Sequence, residues 1–334
     1  MAHADIAVLA FTKNKSAQFA DFIQRLEDQT LRPDHIFVIG SEAEDLAKLD
    51  AANPQLSVSL GRKGIAAQLN DAIALTEGRF KYLFFFTDDF IPSRFWIERA
   101  VAVLESSKDI VGLTGRLLTD GEKSSSTSLD DALSLVDLYD GLPQTETNIV
   151  EPWPLRGCNM ALRRAAVGAI WFDESLPVSG WMEDADFSAR VARRGRVVRS
   201  SVLFGVKLPS ATPRTSGFAL GFAQVVNPVY LARKGRLGAV SALVSITGNF
   251  ARNALSALWI GASADDRRRF YGNIRGLGGL MHMSRGGGSR EPFPGDRSAD
   301  SQLHESQLQG GKSDSKNTFD PSASIIHSSD FSCR

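Results

Sequence analysis

Short apolar runs alternate with more polar segments over residues 1–105 of the chain. The runs are continuous and rich in branched or aromatic side chains, which is typical of strands buried on both faces of a parallel sheet. They lie at Ile6–Ala10, His35–Ile39, Ser57–Leu60 and Tyr82–Phe86. The segments between and after them have the start and stop signals of helices and lie at Ser16–Asp28, Glu42–Ala51, Ile65–Thr76 and Ser93–Glu105. This alternation predicts an α/β fold with a Rossmann-type, mostly parallel sheet flanked by helices.

The most hydrophobic stretch lies later in the chain, at Leu237–Ala262. Asn249, Arg252 and Asn253 interrupt it, so it falls short of the continuous apolar span that crosses a membrane. We therefore predict one or two helices that lie on an apolar surface and form a C-terminal helical extension. From about Arg285 onward large apolar side chains are scarce, and this composition predicts a disordered tail.

The formal net charge is zero, but the basic residues are concentrated in one region. No Asp or Glu occurs between Asp186 and Asp265, whereas eleven Lys and Arg residues do. Such a region favours an anionic ligand or an anionic surface. No nucleic-acid-binding motif accompanies it, so we expect no nucleic-acid partner.

The cysteines and the N-terminus indicate the compartment. Cys158 and Cys333 lie far apart in the chain, which suggests neither a disulfide framework nor a cysteine metal site. The first apolar run is too short for a signal peptide or a membrane span. These features predict a cytoplasmic protein.

An acidic pair follows the most aromatic of the predicted strands. The run Tyr82–Phe86 leads directly into Thr87, Asp88 and Asp89. Because ligands of an open α/β sheet bind beyond the carboxyl ends of its strands, these acids would lie at the binding edge. Two carboxylates there can hold a hard divalent cation against the phosphates of a substrate. A solvated turn is the alternative, since Asp commonly begins loops.

A second group of polar residues lies between Arg156 and Arg190. Within it, Glu183 and Asp184 follow Gly180 and Trp181, where a loop enters a predicted helix. This exposed position suits a general base. The alternative is that the acids only complement the helix dipole. No Gly-x-Gly-x-x-Gly and no P-loop motif follows the first strand, which argues against a dinucleotide or P-loop protein.

Together, these segments resemble an inverting family-2 glycosyltransferase with the GT-A fold. The resemblance extends from about Asp5 to about Gly195 and rests on motifs that occur in the family's order. They are Phe11–Lys15, similar to the first nucleotide-contacting turn; Gln29–Thr30, similar to a helix ending; Lys63–Asn70, similar to the donor loop; Thr87–Asp89, in place of the acidic metal motif; and Gly180–Arg190, similar to the Glu-Asp helix.

The resemblance implies a role for each matching residue. Asp89 would coordinate Mg²⁺ or Mn²⁺ at the diphosphate of the donor, and Asp88 would contact the ribose or the sugar. Asp184 would be the catalytic base, Glu183 would orient the acceptor or support Asp184, and Trp181 would stack on an acceptor sugar. The remaining donor-binding residues would be Thr12, Asn14, Lys63, Gly64, Asn70, Gly157 and Asn159.

The chain also departs from the family pattern. Thr87 stands where the first acid of the metal motif is common, and Ile39–Ser41 offers no Asp to contact the nucleotide base. Leu69 replaces a common Arg, and Lys207 stands where relatives often have a His. A lysine at that position can meet phosphate as a point charge. The resemblance therefore leaves the nucleotide base undetermined.

The function implied is metal-dependent, inverting transfer of a sugar from a nucleotide diphosphate sugar to a glycan acceptor, such as a lipid-linked cell-envelope or exported polysaccharide. Residues 1–205 would form the catalytic domain, with a nucleotide-sugar half (1–115) and an acceptor half (116–205). Residues 206–284 would form the extension and 285–334 the tail. The alternatives are a catalytically inactive sugar-nucleotide-binding protein and a nucleotidyltransferase, for which Thr12–Ser16 is a poor phosphate loop.

A membrane contact is a further hypothesis. Arg233, Lys234 and Arg236 immediately precede Leu237–Ala262. Positive charge beside an apolar segment is typical of reversible binding to anionic lipid. We therefore expect peripheral association with the cytoplasmic face of the inner membrane. Internal packing of the segment beneath the catalytic domain is the alternative.

Overall fold

The computed structural model describes residues 5–12, 19–40, 46, 53–62, 64–119, 127–143, 147–150, 155–178, 181–209, 215–259 and 261–283, with side chains up to 280. The strands in these ranges are β1 (Ile6–Thr12), β2 (His35–Gly40), β3 (Leu56–Leu60), β4 (Tyr82–Thr87), β5 (Phe90–Pro92), β6 (Ile110–Leu117), β7 (Ile149–Val150), β8 (Asn159–Arg163) and β9 (Arg196–Lys207). The helices are α1 (Phe19–Glu27), α2 (Ile65–Ala74), α3 (Trp96–Ser106), α4 (Leu129–Asp140), α5 (Arg164–Val167), α6 (Glu183–Val191), α7 (Gly217–Arg233), α8 (Ala239–Leu258) and α9 (Ala264–Met283).

One sheet holds all the described strands, in the order β3-β2-β1-β4-β8-β6-β9-β5, with β7 also paired to β9. Strands β3, β2, β1 and β4 are parallel neighbours. Strand β8 is antiparallel to both β4 and β6, and β9 is parallel to β6. Most strands therefore share one direction, which confirms the prediction of a mostly parallel α/β sheet flanked by helices.

The central strand β4 shows why the apolar runs form strands. Every residue of β4 is buried, and side chains alternate between the two faces of the sheet. Phe84 and Phe86 pack against Trp96 on one face, whereas Phe85 stacks on Phe11 on the other. Each face thus has its own apolar core. A polar residue within the strand would enter one of these cores, so the polar residues come only at its end.

The predicted strands are confirmed, with small shifts at their ends, but the start of one helix differs. Helix α3 begins at Trp96 instead of Ser93, because the Ser93 hydroxyl donates to the Asp140 carboxylate of α4. No strand is predicted after Phe86, so β5 to β9 were not predicted. Most of the predicted helix Glu42–Ala51, the start of the predicted helix Ser16–Asp28 and the predicted tail lie outside the described residues.

Helices α7, α8 and α9 form the predicted C-terminal helical extension, and each contacts the other two. Helices α7 and α9 approach backbone to backbone, since a Cβ on Gly221 would lie 1.9 Å from the Arg269 carbonyl oxygen. Polar side chains meet between the three helices: Asn253 Nδ2 donates to Gln224 Oε1 at 2.6 Å and to Asn273 Oδ1 at 2.7 Å. Asn253, one of the polar interruptions of the apolar stretch, therefore faces the bundle interior. Within the described residues, no helix is both long and apolar enough to cross a membrane.

Candidate functional site

The first part of the candidate site is the carboxyl edge of β1 and β4. Asp88 follows β4 directly, and its carboxylate accepts a hydrogen bond of 2.7 Å from the hydroxyl of Thr12, the last residue of β1. The Asp88 N–H also donates to the Phe11 carbonyl at 3.1 Å. Both side chains are buried. The two motifs at the ends of β1 and β4 are thus joined by a direct contact, in agreement with their parallel pairing.

Asp89 lies one residue further along and is half-buried. Its carboxylate accepts a hydrogen bond from the Thr87 hydroxyl, and its carbonyl accepts one of 2.7 Å from the Leu208 N–H. The next residue, Phe90, pairs with Lys207 in the antiparallel β5–β9 ladder. The end of β9 therefore brings a lysine beside Asp89, a neighbour that the sequence places more than a hundred residues away.

The second group of polar residues, which begins at Arg156, reaches the same edge through β8. Asn159, the first residue of β8, pairs with Phe86 near the end of β4. The turn at Gly157 and Cys158 therefore lies beside Thr87 and Asp88, because antiparallel strands run in opposite directions from that pair.

Helix α6 places the acidic pair at its first turn. Met182, immediately before it, has a φ of 75° and is the only non-glycine residue with positive φ in the described part of the chain. This left-handed conformation is costly for a residue with a Cβ and is found preferentially at functional sites. The backbone thus turns sharply just before Glu183, which is buried, and Asp184, which is half-buried.

The Asp184 carboxylate faces the Gly157 turn. Its Oδ2 accepts from the Gly157 N–H at 3.3 Å and its Oδ1 from the Ala185 N–H at 2.8 Å. Burial raises the pKa of Asp184 above its usual value, against the opposing effect of these N–H groups and of Arg156. A carboxylate whose charged form is partly desolvated is a stronger base, as general-base chemistry requires.

Cys158 shows that the separate motifs converge. Burial raises the pKa of its thiol to about 12; the positive charges of Lys207 and Arg156 lower it, whereas Asp89 and Asp184 raise it further. All four charged groups therefore act on one sulfur atom. The structure thus gathers the acid after β4, the acid of α6 and two cations around one turn. This is the candidate site.

Two asparagines from the predicted donor set have structural contacts. The Asn70 amide donates to the Phe172 carbonyl at 3.1 Å and to Glu174 Oε1 at 2.8 Å, so both of its N–H groups are used. Asn159 is fully buried, and its oxygen accepts from the Thr114 hydroxyl at 2.6 Å. These amides position the segments around the site, and direct contact of either with a donor stays a prediction.

Gly64 and Trp181 are two further predicted site residues in the described part of the chain. Gly64 precedes α2 with a φ of 103°, a conformation that favours glycine, and a Cβ there would meet open space. Trp181 is half-buried, one residue before the left-handed Met182. Asn14 and Lys63 lie outside the described residues.

The segment before α6 is held by the helical extension, a connection that the sequence did not indicate. Asn227 of α7 is fully buried. Its Nδ2 donates to the Val178 and Trp181 carbonyls, each at 2.8 Å, and its Oδ1 accepts from the Val178 N–H at 3.2 Å. One amide therefore fixes both ends of the loop that enters α6.

Two basic residues of the predicted membrane cluster also contact the catalytic half. Lys234 and Arg236 approach Asp173 at 2.8 and 2.6 Å, and Arg236 approaches Asp186 at 3.1 Å. Burial alone would raise the pKa of Asp173, but hydrogen bonds from Lys234, the Ser175 N–H and Tyr230 lower it to about 2. These two cations are therefore paired with acids of the catalytic half, and contact of the basic cluster with lipid stays a prediction.

A divalent cation at this edge would be coordinated jointly by the protein and by the phosphates of the substrate. Within the described residues, no group of three or more His, Cys, Asp or Glu side chains lies close enough to hold a metal. Mg²⁺ is commonly held by one or two carboxylates together with substrate phosphates. Asp89, at the edge and half-buried, fits such an arrangement.

No protein-family profile matches the chain, and no curated protein matches its sequence. Solved structures do match. TarS 1–349 of S. aureus, in complex with UDP-GlcNAc, aligns with a TM-score of 0.53 at 15% identity, over 83% of this chain and 81% of that one. The mannosyltransferase PcManGT of Pyrobaculum calidifontis, in complex with GDP-Man and Mn²⁺, aligns with a TM-score of 0.51 at 14% identity, over 83% and 88%.

Both of these proteins are GT-A-type glycosyltransferases. This chain has the GT-A fold. Asp88 and Asp89 thus follow a strand of a GT-A sheet, and Asp184 lies on a helix of the same fold. The fold predicted from the motif order is confirmed, and assignment to family 2 rests on those motifs alone.

Proposed function

We propose that this protein transfers a sugar from a nucleotide diphosphate sugar to a glycan acceptor, with inversion at the anomeric carbon. The observation that carries the proposal is the convergence of Asp89, Lys207 and Asp184 at one edge of the sheet: Phe90, next to Asp89, pairs with Lys207, and Asp184 accepts from the Gly157 N–H in the turn before β8. A transferase needs cations or a metal for the departing diphosphate and a base for the acceptor. This edge has both kinds of group.

The donor would bind across the carboxyl edge of β1 and β4. Asp88, held by Thr12, would contact the ribose or the sugar, and Gly157 would line the sugar pocket. Lys207 and Arg156 would meet the diphosphate as cations. PcManGT has been crystallised with GDP-Man and TarS with UDP-GlcNAc, which supports a donor of this class.

Asp89 would be the protein ligand of Mg²⁺ or Mn²⁺. When bound, such an ion would neutralise part of the charge that develops on the leaving diphosphate. The Mn²⁺ in the PcManGT complex supports this assignment, as does the position of the half-buried Asp89 at the edge.

Asp184 would be the base. It would take the proton of the acceptor hydroxyl as the hydroxyl oxygen bonds to the anomeric carbon, while the carbon–oxygen bond to the diphosphate breaks and its electron pair leaves with the phosphate. Glu183 would orient the acceptor and Trp181 would offer a ring face for stacking. The raised pKa of Asp184, caused by burial, supports its role as base.

The acceptor would be a glycan, including one carried on a lipid at the cytoplasmic face of a membrane. Residues 1–205 would supply the catalytic groups and 206–284 the helical extension. Exposed cations of the acid-free region after Asp186, such as Arg193, Arg194 and Arg233, support an anionic or lipid-linked acceptor.

The test is release of nucleoside diphosphate from a panel of UDP- and GDP-sugars, with Mn²⁺, Mg²⁺ or EDTA. We expect turnover with one donor and its loss in Asp184→Asn. Donor binding without any turnover would favour an inactive sugar-nucleotide-binding protein. Release of pyrophosphate from a nucleoside triphosphate would favour a nucleotidyltransferase.

A further inference from the structure

Helix α8 has an apolar face that nothing in the described chain covers. Its buried side faces α7 and α9 through Ala242, Asn249 and Asn253. The exposed side carries Arg252 and otherwise only uncharged residues, of which the large ones are 61–80% exposed: Val240, Leu243, Val244, Leu255 and Leu258, followed by Trp259 at 76%. Twenty helical residues extend about 30 Å. An exposed apolar face of this length marks an interaction surface.

The outer face of α9 has a related composition. Tyr271 and Ile274 are exposed there, beside the exposed Arg267, Arg268 and Arg275. Aromatic and aliphatic side chains interleaved with arginines are typical of helices at a membrane interface.

Acidic residues are scarce on this bundle. Residues 215–283 contain eight Lys and Arg and only two acidic residues, Asp265 and Asp266. Asp265 accepts from the Gly217 N–H at 2.9 Å and Asp266 from the Ser263 N–H at 3.0 Å. Both acids therefore serve helix starts, and Asp265 also pairs with Arg269 at 3.2 Å. After Asp266, in its first turn, α9 carries no acidic residue that could pair with its exposed arginines.

Charge distinguishes two candidate occupants of this apolar face, a second copy of the chain and a lipid surface. A second copy of the chain, related by a two-fold axis, would bring arginines of one bundle towards those of the other, which costs free energy. An anionic lipid surface would instead attract them and would accept the apolar side chains between its headgroups.

We propose that the outer faces of α8 and α9 bind the surface of a bilayer that contains anionic lipid. Leu255, Leu258 and Trp259 enter the boundary between headgroups and acyl chains, and Arg267 and Arg268 contact the headgroups. Lys234 and Arg236 take no part, because they are paired with Asp173 and Asp186. This surface is independent of the proposed transferase activity.

The experiment is co-sedimentation of the full chain with vesicles of phosphatidylcholine alone or with one quarter phosphatidylglycerol. We expect binding to the anionic vesicles, weakened by salt, and a blue shift of tryptophan emission that is lost in Trp259→Phe. Leu258→Asp should weaken binding at least about tenfold. Arg267→Gln with Arg268→Gln should weaken it roughly 25-fold, since each basic residue near the surface contributes about fivefold.

Matched controls lie elsewhere on the protein. Leu138 on α4 is 63% exposed, so Leu138→Asp introduces the same charge on an exposed apolar position and should leave vesicle binding unchanged. Lys108→Gln removes an exposed positive charge elsewhere on the protein and should also leave vesicle binding unchanged. Equal binding to both vesicle types, or no binding at low salt, would overturn the proposal. So would a dimer in solution that Leu258→Asp dissociates, since a second copy would then cover the face.

Discussion

Asp173 is the anchor between the catalytic half and the helical extension, and its charge should contribute measurably to stability. Its carboxylate is 10% exposed and accepts from Lys234, Arg236 and Tyr230 at 2.8, 2.6 and 3.0 Å. Asp173→Asn keeps the shape and an oxygen for the Ser175 N–H but removes the charge. Two cations are then left without their shared partner.

The size of this contribution to the free energy of unfolding follows from the pKa of Asp173. Hydrogen bonds lower the pKa of Asp173 from 3.8 to about 2, and each pKa unit corresponds to about 1.4 kcal/mol. Because the folded pKa is depressed, the stabilisation is fully present above pH 4 and is lost as the pH falls through the folded value. We expect Asp173→Asn to lower the free energy of unfolding by about 2 kcal/mol at pH 7 and by about 1 kcal/mol at pH 3.

Urea unfolding of both proteins, followed by circular dichroism at pH 7, 5, 4 and 3, measures this difference. The control is Asp109→Asn, which breaks the 2.9 Å pair with Arg196 where the two side chains are 57% and 41% exposed; its cost should be clearly smaller, because exposed ion pairs contribute little to stability. A difference for Asp173→Asn that does not change with pH, or that matches the control, would refute the reasoning.

The remaining predictions concern the candidate site. Asp184→Asn should lower kcat by roughly 10²- to 10⁴-fold with donor affinity unchanged, as isothermal titration would show; in the parent protein the acidic limb of kcat/KM should lie above the usual pKa of an Asp, because burial raises the pKa of Asp184. Asp89→Ala should remove the effect of Mn²⁺ on donor binding while thermal unfolding stays the same, and full activity in EDTA would contradict the assignment. Lys207→Met should weaken binding of nucleoside diphosphate about tenfold or more, whereas an unchanged affinity would place Lys207 outside the phosphate site.

Much of the donor half could be predicted from sequence, because its strands are short apolar runs buried on both faces. Tyr82–Phe86 is the clearest case, since every residue of the strand enters one of the two cores. Strand β8 escaped prediction because only five residues pair, and the motif at Gly157 gave no sign that it begins an antiparallel strand. Helix α3 starts late because Ser93 bonds to Asp140 of α4, a tertiary contact without a local signal.

The site could be predicted in part. The acids at positions 88, 89 and 184 were identified from their order along the chain, and the structure brings the last two to one turn. The residues that contact these acids could not be predicted from the sequence. Lys207 reaches Asp89 through strand pairing, and Arg236 reaches Asp186 across fifty residues of chain. Neither contact has a periodicity or a motif that sequence alone could reveal.

The Asn227 amide has a consequence for how such an enzyme can diversify. It holds the Val178 and Trp181 carbonyls from helix α7, whereas the donor edge is built by β1 and β4. In the proposed transferase, substitutions in the helical bundle would shift the loop that meets the acceptor and leave the nucleotide side untouched. The two substrates are then served by parts of the chain that can vary separately, so a change of acceptor does not require a change of donor.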